Sequence, residues 1–496
     1  MPSLAPTAPI ELRHFIAGRW VEGTLSPLIS DNPARPDDIV ATGQQAGPAE
    51  VSLAMVAASA AARPWSRRSM HERGAVLLRT ADLLAEQADR LGLELAREEG
   101  KTLSEATAEV LRAAQIFRYY GQAGDRSAGE VFSSPRRGER ILVTRKPLGV
   151  IGIVTPFNFP IAIPAWKIAP ALVYGNTVVW KPASTVPLLA VRLAEALEEA
   201  GLPEGVLNLL LGRGSLGTAL VEHRGLSGLT FTGSTRVGRE LAAAAASRGV
   251  PIQAEMGGKN ASVVLADADL ELAADQVLLG AFRSSGQKCT ATSRLIVDER
   301  VADDFLGRLQ DRLGQWIVGD PTVRGVQMGP LVSEPAAETV RRGIRAALAD
   351  GATVLHEGQA PIDGAGSRCF IAPTILELSG ARNAAAQNPA WCKELFGPVL
   401  TVRRASGSED AFQLANDSAF GLAAAVFTQD VTRVLDALDE IDVGVLHVNS
   451  ESAGADPHVP FGGAKNSGYG PMEQGGAAQD FYTHTMTVYL RGGTPA

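Results

Sequence analysis

From residue 148 onward the chain alternates short apolar runs with longer stretches of helical spacing, separated by glycine or proline. Val150–Val154 and Thr177–Lys181 read as strands, with a helix over Ala162–Tyr174 between them. A helix over Ala190–Ala200 stops at Gly201-Leu-Pro203. Strands follow at Val206–Leu211 and Leu229–Thr232, then a helix over Val237–Ala246. Strand, helix and strand at this spacing make βαβ units on a parallel sheet. A second series repeats the pattern: strand Ser262–Leu265, helix Asp269–Phe282, strand Ser293–Val297, helix Val301–Leu313. A third covers about 333–449. Before this series, residues 50–119 read as helical, with apolar residues at helical spacing in windows such as 76–98. Residues 125–140 read as a loop or ribbon, and 480–490 alternate as a late strand. The class is α/β, with two packed lobes and small extensions. Residues 1–9, rich in Pro and Ala, read as mobile.

Composition narrows the function classes. A length of 496 residues suits two to four domains. Hydrophobic residues at 45% and charged residues at 20% supply enough apolar surface for large cores, which excludes a disordered chain. A net charge of −8 disfavours a broad basic face for nucleic acid, so no nucleic-acid partner is expected. Three cysteines, Cys289, Cys369 and Cys392, are too few and too odd for a secreted disulfide framework. The N-terminus lacks a basic segment followed by an apolar run, so no signal peptide is expected. The most apolar stretch, Leu148–Trp180, is broken by four prolines, Asn158 and Lys167, and cannot span a membrane. A cytoplasmic protein without membrane partners is the expectation. Seven scattered histidines show no zinc spacing, and no metal is expected.

Four segments could carry chemistry. Gly233-Ser-Thr-Arg-Val-Gly238 follows a strand and opens a helix, where backbone N–H groups could meet an anion. A plain turn and cap would look the same, and the three-glycine dinucleotide fingerprint is absent. Cys289 lies in the small-residue segment Ser284-Ser-Gly-Gln-Lys-Cys-Thr290, a loop-like context in which Lys288 could favour the thiolate. An inert thiol is the alternative, and the reading preferred for Cys369 and Cys392. Glu255, amid the small residues of Gln253-Ala-Glu-Met-Gly-Gly-Lys-Asn260, is either a general base or a salt-bridged strand end. Asn158, in Thr155-Pro-Phe-Asn-Phe-Pro160, could donate to a developing oxyanion or merely shape its own turn.

Together these segments resemble the aldehyde dehydrogenase superfamily, from about Phe15 to Leu490. The resemblance rests on seven motifs in order: Pro156-Phe-Asn-Phe-Pro160, Trp180-Lys-Pro-Ala183, Phe231-Thr-Gly-Ser-Thr235, Glu255-Met-Gly-Gly258, Gly286-Gln-Lys-Cys289, Glu394-Leu-Phe-Gly-Pro398 and Pro460-Phe-Gly-Gly463. It implies a homo-dimer or homo-tetramer. Each subunit would hold a Rossmann-type cofactor domain (1–124 and 148–256), an α/β catalytic domain (257–460), and a small β oligomerisation arm with the C-terminal segment (125–147 and 461–496). It also implies NAD(P)-dependent oxidation of an aldehyde to an acid through a thioester. Cys289 is the implied nucleophile. The Asn158 amide and the Cys289 N–H hold the oxyanion, and Glu255 activates water. Lys167 and Glu473 resemble a pair that assists proton release. The cofactor residues implied are Thr155, Pro156, Phe157, Lys181, Ser184, Gly214, Phe231, Gly233, Ser234, Val237, Gly257, Glu394 and Phe396. Among them Lys181 resembles the adenosine-ribose ligand, Ser234 the pyrophosphate ligand and Glu394 the nicotinamide-ribose ligand.

Cofactor and substrate choice turn on two positions. Many NAD-preferring members carry Glu three residues after the lysine matched by Lys181, and here that position is Ser184. A hydroxyl tolerates the 2′-phosphate that a carboxylate repels, so NADP is accepted and NAD is not excluded. Arg283, six residues before Cys289, matches the arginine that binds the distal carboxylate in succinate-semialdehyde dehydrogenases. A surface or structural salt bridge is its alternative role. The 154–167 and 473–478 segments look more like 2-oxoglutarate-semialdehyde (2,5-dioxovalerate) dehydrogenases. Trp166, Phe159 and Phe461 complete the expected substrate site, and Trp166 stands where succinate-semialdehyde enzymes have a second arginine. An aromatic aldehyde of the benzaldehyde or vanillin type is the alternative substrate. A CoA-acylating enzyme usually lacks the counterpart of Glu255, and a non-catalytic protein of this fold would have no need of Cys289, Glu255, Asn158 and Glu394.

Overall fold

The structure, a computed structural model, describes residues 8–361, 367–379 and 386–493. Most of the proline-rich start read as mobile therefore lies outside the described residues. Two large sheets carry the molecule. The first has eight strands in the order Gly468–Tyr469, Ile252–Glu255, Gly228–Thr232, Val150–Val154, Thr177–Lys181, Leu207–Leu209, His14–Ile16, Arg19–Val21. Its five central strands run parallel and are buried on both faces, which explains their near-continuous Val, Ile and Leu. Helices Ala162–Val173 and Leu188–Glu199 pack in the core on one side of this sheet. Helices Pro48–Ser66, Ser215–Glu222 and Thr235–Ala246 cover the other.

Strand order decides where a ligand can sit. From Val150–Val154 the chain adds strands in one direction through Thr177–Lys181, then returns to build Gly228–Thr232 and Ile252–Glu255 on the opposite flank. Open α/β sheets bind ligands outside the carboxyl ends of the strands at such a reversal. Register brings those ends level: Val154 pairs with Lys181 and Phe231, and Thr232 pairs with Glu255.

The second sheet has seven strands: Thr353–Glu357, Thr374–Glu377, Val399–Ala405, Thr292–Asp298, Asn260–Val264, Ala423–Phe427 and Val445–Val448. All but the first pair run parallel. A separate antiparallel sheet joins Gly129–Ser133, Glu139–Pro147 and Thr483–Arg491. The ribbon expected at 125–140 and the late strand thus meet.

Several boundaries differ from the sequence reading. The helical stretch is four helices, Pro48–Ser66, Met70–Glu86, Ala88–Glu99 and Leu103–Gly121, and the 76–98 window breaks at Gln87. Residues 480–482 belong to a helix, Gly475–Tyr482, because Ala478, Phe481 and Tyr482 bury a helical face before the strand begins at Thr483. Short strands before residue 48 and the helix Ser215–Glu222 carry too little periodic signal to be read from sequence.

Candidate active site

The nucleophile candidate is presented by a strained turn. Helix Leu270–Phe282 ends at Arg283, and Ser284, Ser285 and Gly286 follow with φ of 53°, 54° and 69°. Three successive left-handed residues are costly for serines, so partners must hold them. Glu105 accepts the Ser284 N–H at 2.8 Å, and the Ser285 hydroxyl donates to the Gly329 carbonyl at 2.8 Å. A Cβ on Gly286 would press on the Gly397 carbonyl, so only glycine fits that corner. Beyond the turn Asn260 donates to the Cys289 and Ala291 carbonyls at 2.8 and 2.9 Å, which fixes the backbone on both sides of the sulfur.

Cys289 is half-buried between two cavities and, among the described residues, is the one lining both. The smaller, about 310 Å³, is lined by Phe159, Trp166, Arg283 and Phe461, all four expected substrate residues, together with Lys101, Glu105, Glu109, Lys288 and Glu451. Trp166 and Phe461 stack with ring centroids 5.7 Å apart. Arg283 faces this cavity while paired with Glu451 at 3.2 Å and Glu105 at 3.5 Å. The larger cavity, about 720 Å³, lies at the carboxyl ends of the first sheet, where the strand order reverses. Thr155, Pro156, Phe157, Lys181, Ser184, Gly214, Phe231, Gly233, Ser234, Val237, Gly257, Glu394 and Phe396 all line it.

The larger cavity has the chemistry of a site for an anionic, hydroxyl-rich ligand. Lys181 is buried, its pKa is depressed to about 8 by that burial, and among the described residues no acceptor meets its ammonium. Ser234 caps helix Thr235–Ala246 in extended conformation, yet its hydroxyl caps no backbone N–H, which leaves the helix N-terminus open to an anion. Glu394 accepts the Gly258 N–H at 3.0 Å, and burial raises its pKa to about 7. A Cβ on Gly257 would collide with that carboxylate.

Asn158 lines the larger cavity and does more than shape its own turn. Its amide donates to the Gln287 carbonyl at 2.8 Å, two residues before Cys289, and so ties the first sheet's loop to the nucleophile's loop. One N–H remains for a second acceptor. Glu255 lines neither cavity; it is buried and accepts the Gly463 N–H at 3.2 Å. Burial, with the charge of Glu473 second, holds its pKa well above the usual carboxylate range. Lys167 and Glu473 form a buried ion pair, and Lys167 also donates to the Thr230 hydroxyl at 2.8 Å.

Lys288 departs from its expected role. It does not serve the thiolate, because its ammonium donates to the Leu279 carbonyl at 3.1 Å and to Glu451 at 3.4 Å. Burial raises the Cys289 thiol to about 12, with Glu394 and Glu255 adding to the shift, while the Thr290 and Cys289 N–H groups oppose it. Cys369 is buried and Cys392 bonds weakly to the Gln387 carbonyl at 3.6 Å, both away from the two cavities. Sequence reading missed Lys101, Glu105, Glu109 and Asn260, whose partners are distant in the chain. Only Asn260 carried a signal, as the end of the Glu255 motif.

Comparison with known proteins agrees with this geometry. The model of the Aldehyde dehydrogenase family matches residues 20–488. An alpha-ketoglutaric semialdehyde dehydrogenase of Bacillus subtilis is 41% identical over 481 residues, covering 96% of this chain and 98% of the relative. A 2,5-dioxopentanoate dehydrogenase of Saccharolobus solfataricus is 37% identical over 478 residues, with 96% and 98% covered. Betaine aldehyde dehydrogenase of Staphylococcus aureus, solved in complex with NAD+, superposes with a TM-score of 0.92 at 31% identity, covering 96% of this chain and 94% of that one. An NADP-dependent enzyme of E. coli gives a TM-score of 0.92 at 32% identity, with 97% and 98% covered. A half-buried thiol between two cavities, on a fold and sequence this similar, places the chain in the aldehyde dehydrogenase family as an oxidoreductase acting on aldehydes.

Proposed function

We propose that the enzyme oxidises an oxo-acid semialdehyde to the carboxylic acid, with 2-oxoglutarate semialdehyde as the first candidate and succinate semialdehyde as the next. The observation that carries this reading is Cys289 shared by two cavities of different chemistry. The smaller holds a guanidinium and aromatic walls, which suit a short aldehyde with a remote carboxylate. The larger suits NADP or NAD, with Lys181, the Ser234 helix start and Glu394 as its polar groups. Ser184 on its wall is neutral and tolerates a 2′-phosphate, so NADP is accepted.

In this reading the Cys289 thiol loses its proton to solvent, the thiolate attacks the aldehyde carbon, and the carbonyl π bond opens to an oxyanion. The free N–H of the Asn158 amide and the Cys289 N–H receive that charge. A nicotinamide cofactor held by Lys181, Ser234 and Glu394 in the larger cavity would accept the hydride that leaves the aldehyde carbon. What remains on Cys289 is a thioester. Glu255, its basicity raised by burial, takes a proton from water, and the resulting hydroxide opens the thioester. Lys167 and Glu473 lie close enough to Glu255 to shift its titration and are placed to pass the proton on.

We assign residues 1–124 and 148–256 to the cofactor domain, 257–460 to the catalytic domain, and 125–147 with 461–496 to an oligomerisation arm and C-terminal segment. A homo-dimer or homo-tetramer follows from the arm, which carries Val131, Phe132, Tyr489 and Leu490 exposed on a three-stranded sheet. Three unpaired thiols suit a reducing, cytoplasmic setting.

The test is reduction of NADP and of NAD, followed by absorbance without CoA, over acidic, aliphatic and aromatic aldehydes. The expected result is highest kcat/KM with 2-oxoglutarate semialdehyde and ready use of NADP. Highest kcat/KM with vanillin or benzaldehyde would move the substrate to the aromatic class that the Trp166–Phe461 stack also suits. A clearly higher efficiency with NAD would overturn the reading of Ser184.

A further inference from the structure

The nucleophile and the oxyanion amide come from different sheets, and their relative placement must be fixed to a fraction of an ångström. Both loops are fastened to one place outside either sheet, the start of helix Leu103–Gly121. Lys101, just before it, donates to the Asn158 backbone carbonyl at 2.7 Å and lies over the Phe159 ring at 4.2 Å. Glu109 accepts the Ile161 and Ala162 N–H groups at 3.1 and 3.2 Å, which closes the turn that follows Asn158. Glu105, between them, accepts the Ser284 N–H at 2.8 Å and so holds the strained turn before Cys289. Lys101 and Glu109 pair at 2.6 Å with side chains 1% and 2% exposed.

A buried ion pair of this kind is weak evidence for stability alone, since apolar side chains of similar volume serve as well or better. Its directional bonds are what apolar residues cannot supply. We infer that Lys101, with Glu109, is a positioning residue that sets the Asn158 amide against Cys289, and that Glu105 anchors the nucleophile's side of the same jig. Rigid packing carries the contact onward, because Asn158 in turn donates across to Gln287. This rests on the reading of Asn158 as the oxyanion donor, and the experiment separates the two.

The variants are Lys101→Met, Lys101→Arg, Asn158→Ala and the double variant Lys101→Met/Asn158→Ala. Their kcat and KM are measured with the best aldehyde, and Cys289 alkylation by iodoacetamide is timed, a displacement that develops no oxyanion. Asn158→Ala is expected to lower kcat about 10²–10³-fold. Lys101→Met should lower it about 10²-fold with KM much less affected, and Lys101→Arg should recover most of the loss. The double variant should fall no lower than Asn158→Ala, and the alkylation rate of Lys101→Met should match the parent. Losses that multiply in the double variant, or alkylation slowed in step with kcat, would overturn the positioning role. Full kcat in Asn158→Ala would instead overturn the oxyanion reading beneath it. Should Lys101→Met not fold, Lys101→Met/Glu109→Leu replaces the pair with apolar side chains, and the same comparisons decide.

Discussion

At Cys289 the sulfur is held neutral by its surroundings. Its pKa of about 12 arises first from burial, then from Glu394 and Glu255, so the cofactor-free protein stores a thiol and not a thiolate. Iodoacetamide should therefore alkylate Cys289 slowly, with a rate that climbs about tenfold per pH unit and reaches no plateau below about pH 10. Adding NADP should lower the apparent pKa, since a cation beside the sulfur favours its charged form. A plateau near neutrality without cofactor would show that the thiolate is already formed. At Arg283 the guanidinium is paired with Glu451 and Glu105, which orients it on the wall of the smaller cavity. Arg283→Ala should raise KM for acidic semialdehydes about tenfold or more and leave neutral aldehydes nearly unchanged. Equal effects on both would assign Arg283 to the salt bridges alone. Cys289, Glu255 and Asn158 stood out in sequence as candidates from their short segments, and only the combined resemblance of those segments to a family gave them roles. Lys101 and Glu105 did not stand out, because their partners Asn158 and Ser284 lie 57 and 179 residues further on.

Elements deliver these residues through burial that has its own pH signature. Glu98, on helix Ala88–Glu99, is fully buried and accepts the Leu188 N–H and the Ser30 hydroxyl at 2.8 Å each, so it fastens that helix to Leu188–Glu199. Burial raises its pKa from 4.5 to about 8. A carboxyl raised on folding contributes its full stability below the unfolded value and loses it as pH rises through the folded one. Between about pH 4.5 and 8 the wild type should therefore lose stability. Glu98→Gln cannot ionise and should show a flatter fall of Tm over that window, and the higher Tm at its alkaline end. Glu99, raised likewise to about 8, contributes the same slope to both proteins and cancels in the comparison. Parallel Tm curves would mean that Glu98 does not titrate in the fold. The parallel strands were legible because continuous apolar runs bounded by Gly and Pro have few other uses. The break at Gln87 and the helix Gly475–Tyr482 were not, since they depend on packing against the first core and not on local spacing.

Across the whole molecule, two cavities meet at the Cys289 thiol, between the two large sheets. Strand order explains the larger cavity, and the three-stranded sheet exposes Val131, Phe132, Tyr489 and Leu490. Val131, Leu142, Val488 and Leu490 fall on one face of the arm's register, and Phe132, Ile141 and Tyr489 on the other. Charged and polar residues share both faces, and Val131, Phe132, Tyr489 and Leu490 are the exposed apolar residues that a proposed subunit contact would cover. Val131→Glu with Leu490→Glu should shift sedimentation from dimer or tetramer toward monomer while circular dichroism stays unchanged. An unaltered assembly would place the interface elsewhere. For the chemistry as a whole, the decisive measurement is mass spectrometry of Glu255→Gln after mixing with 2-oxoglutarate semialdehyde and NADP. The expected result is a burst of about one reduced cofactor per site, with an acyl group retained on the peptide that carries Cys289. An unmodified Cys289 beside that burst, or an acyl group on another residue, would contradict the thioester route.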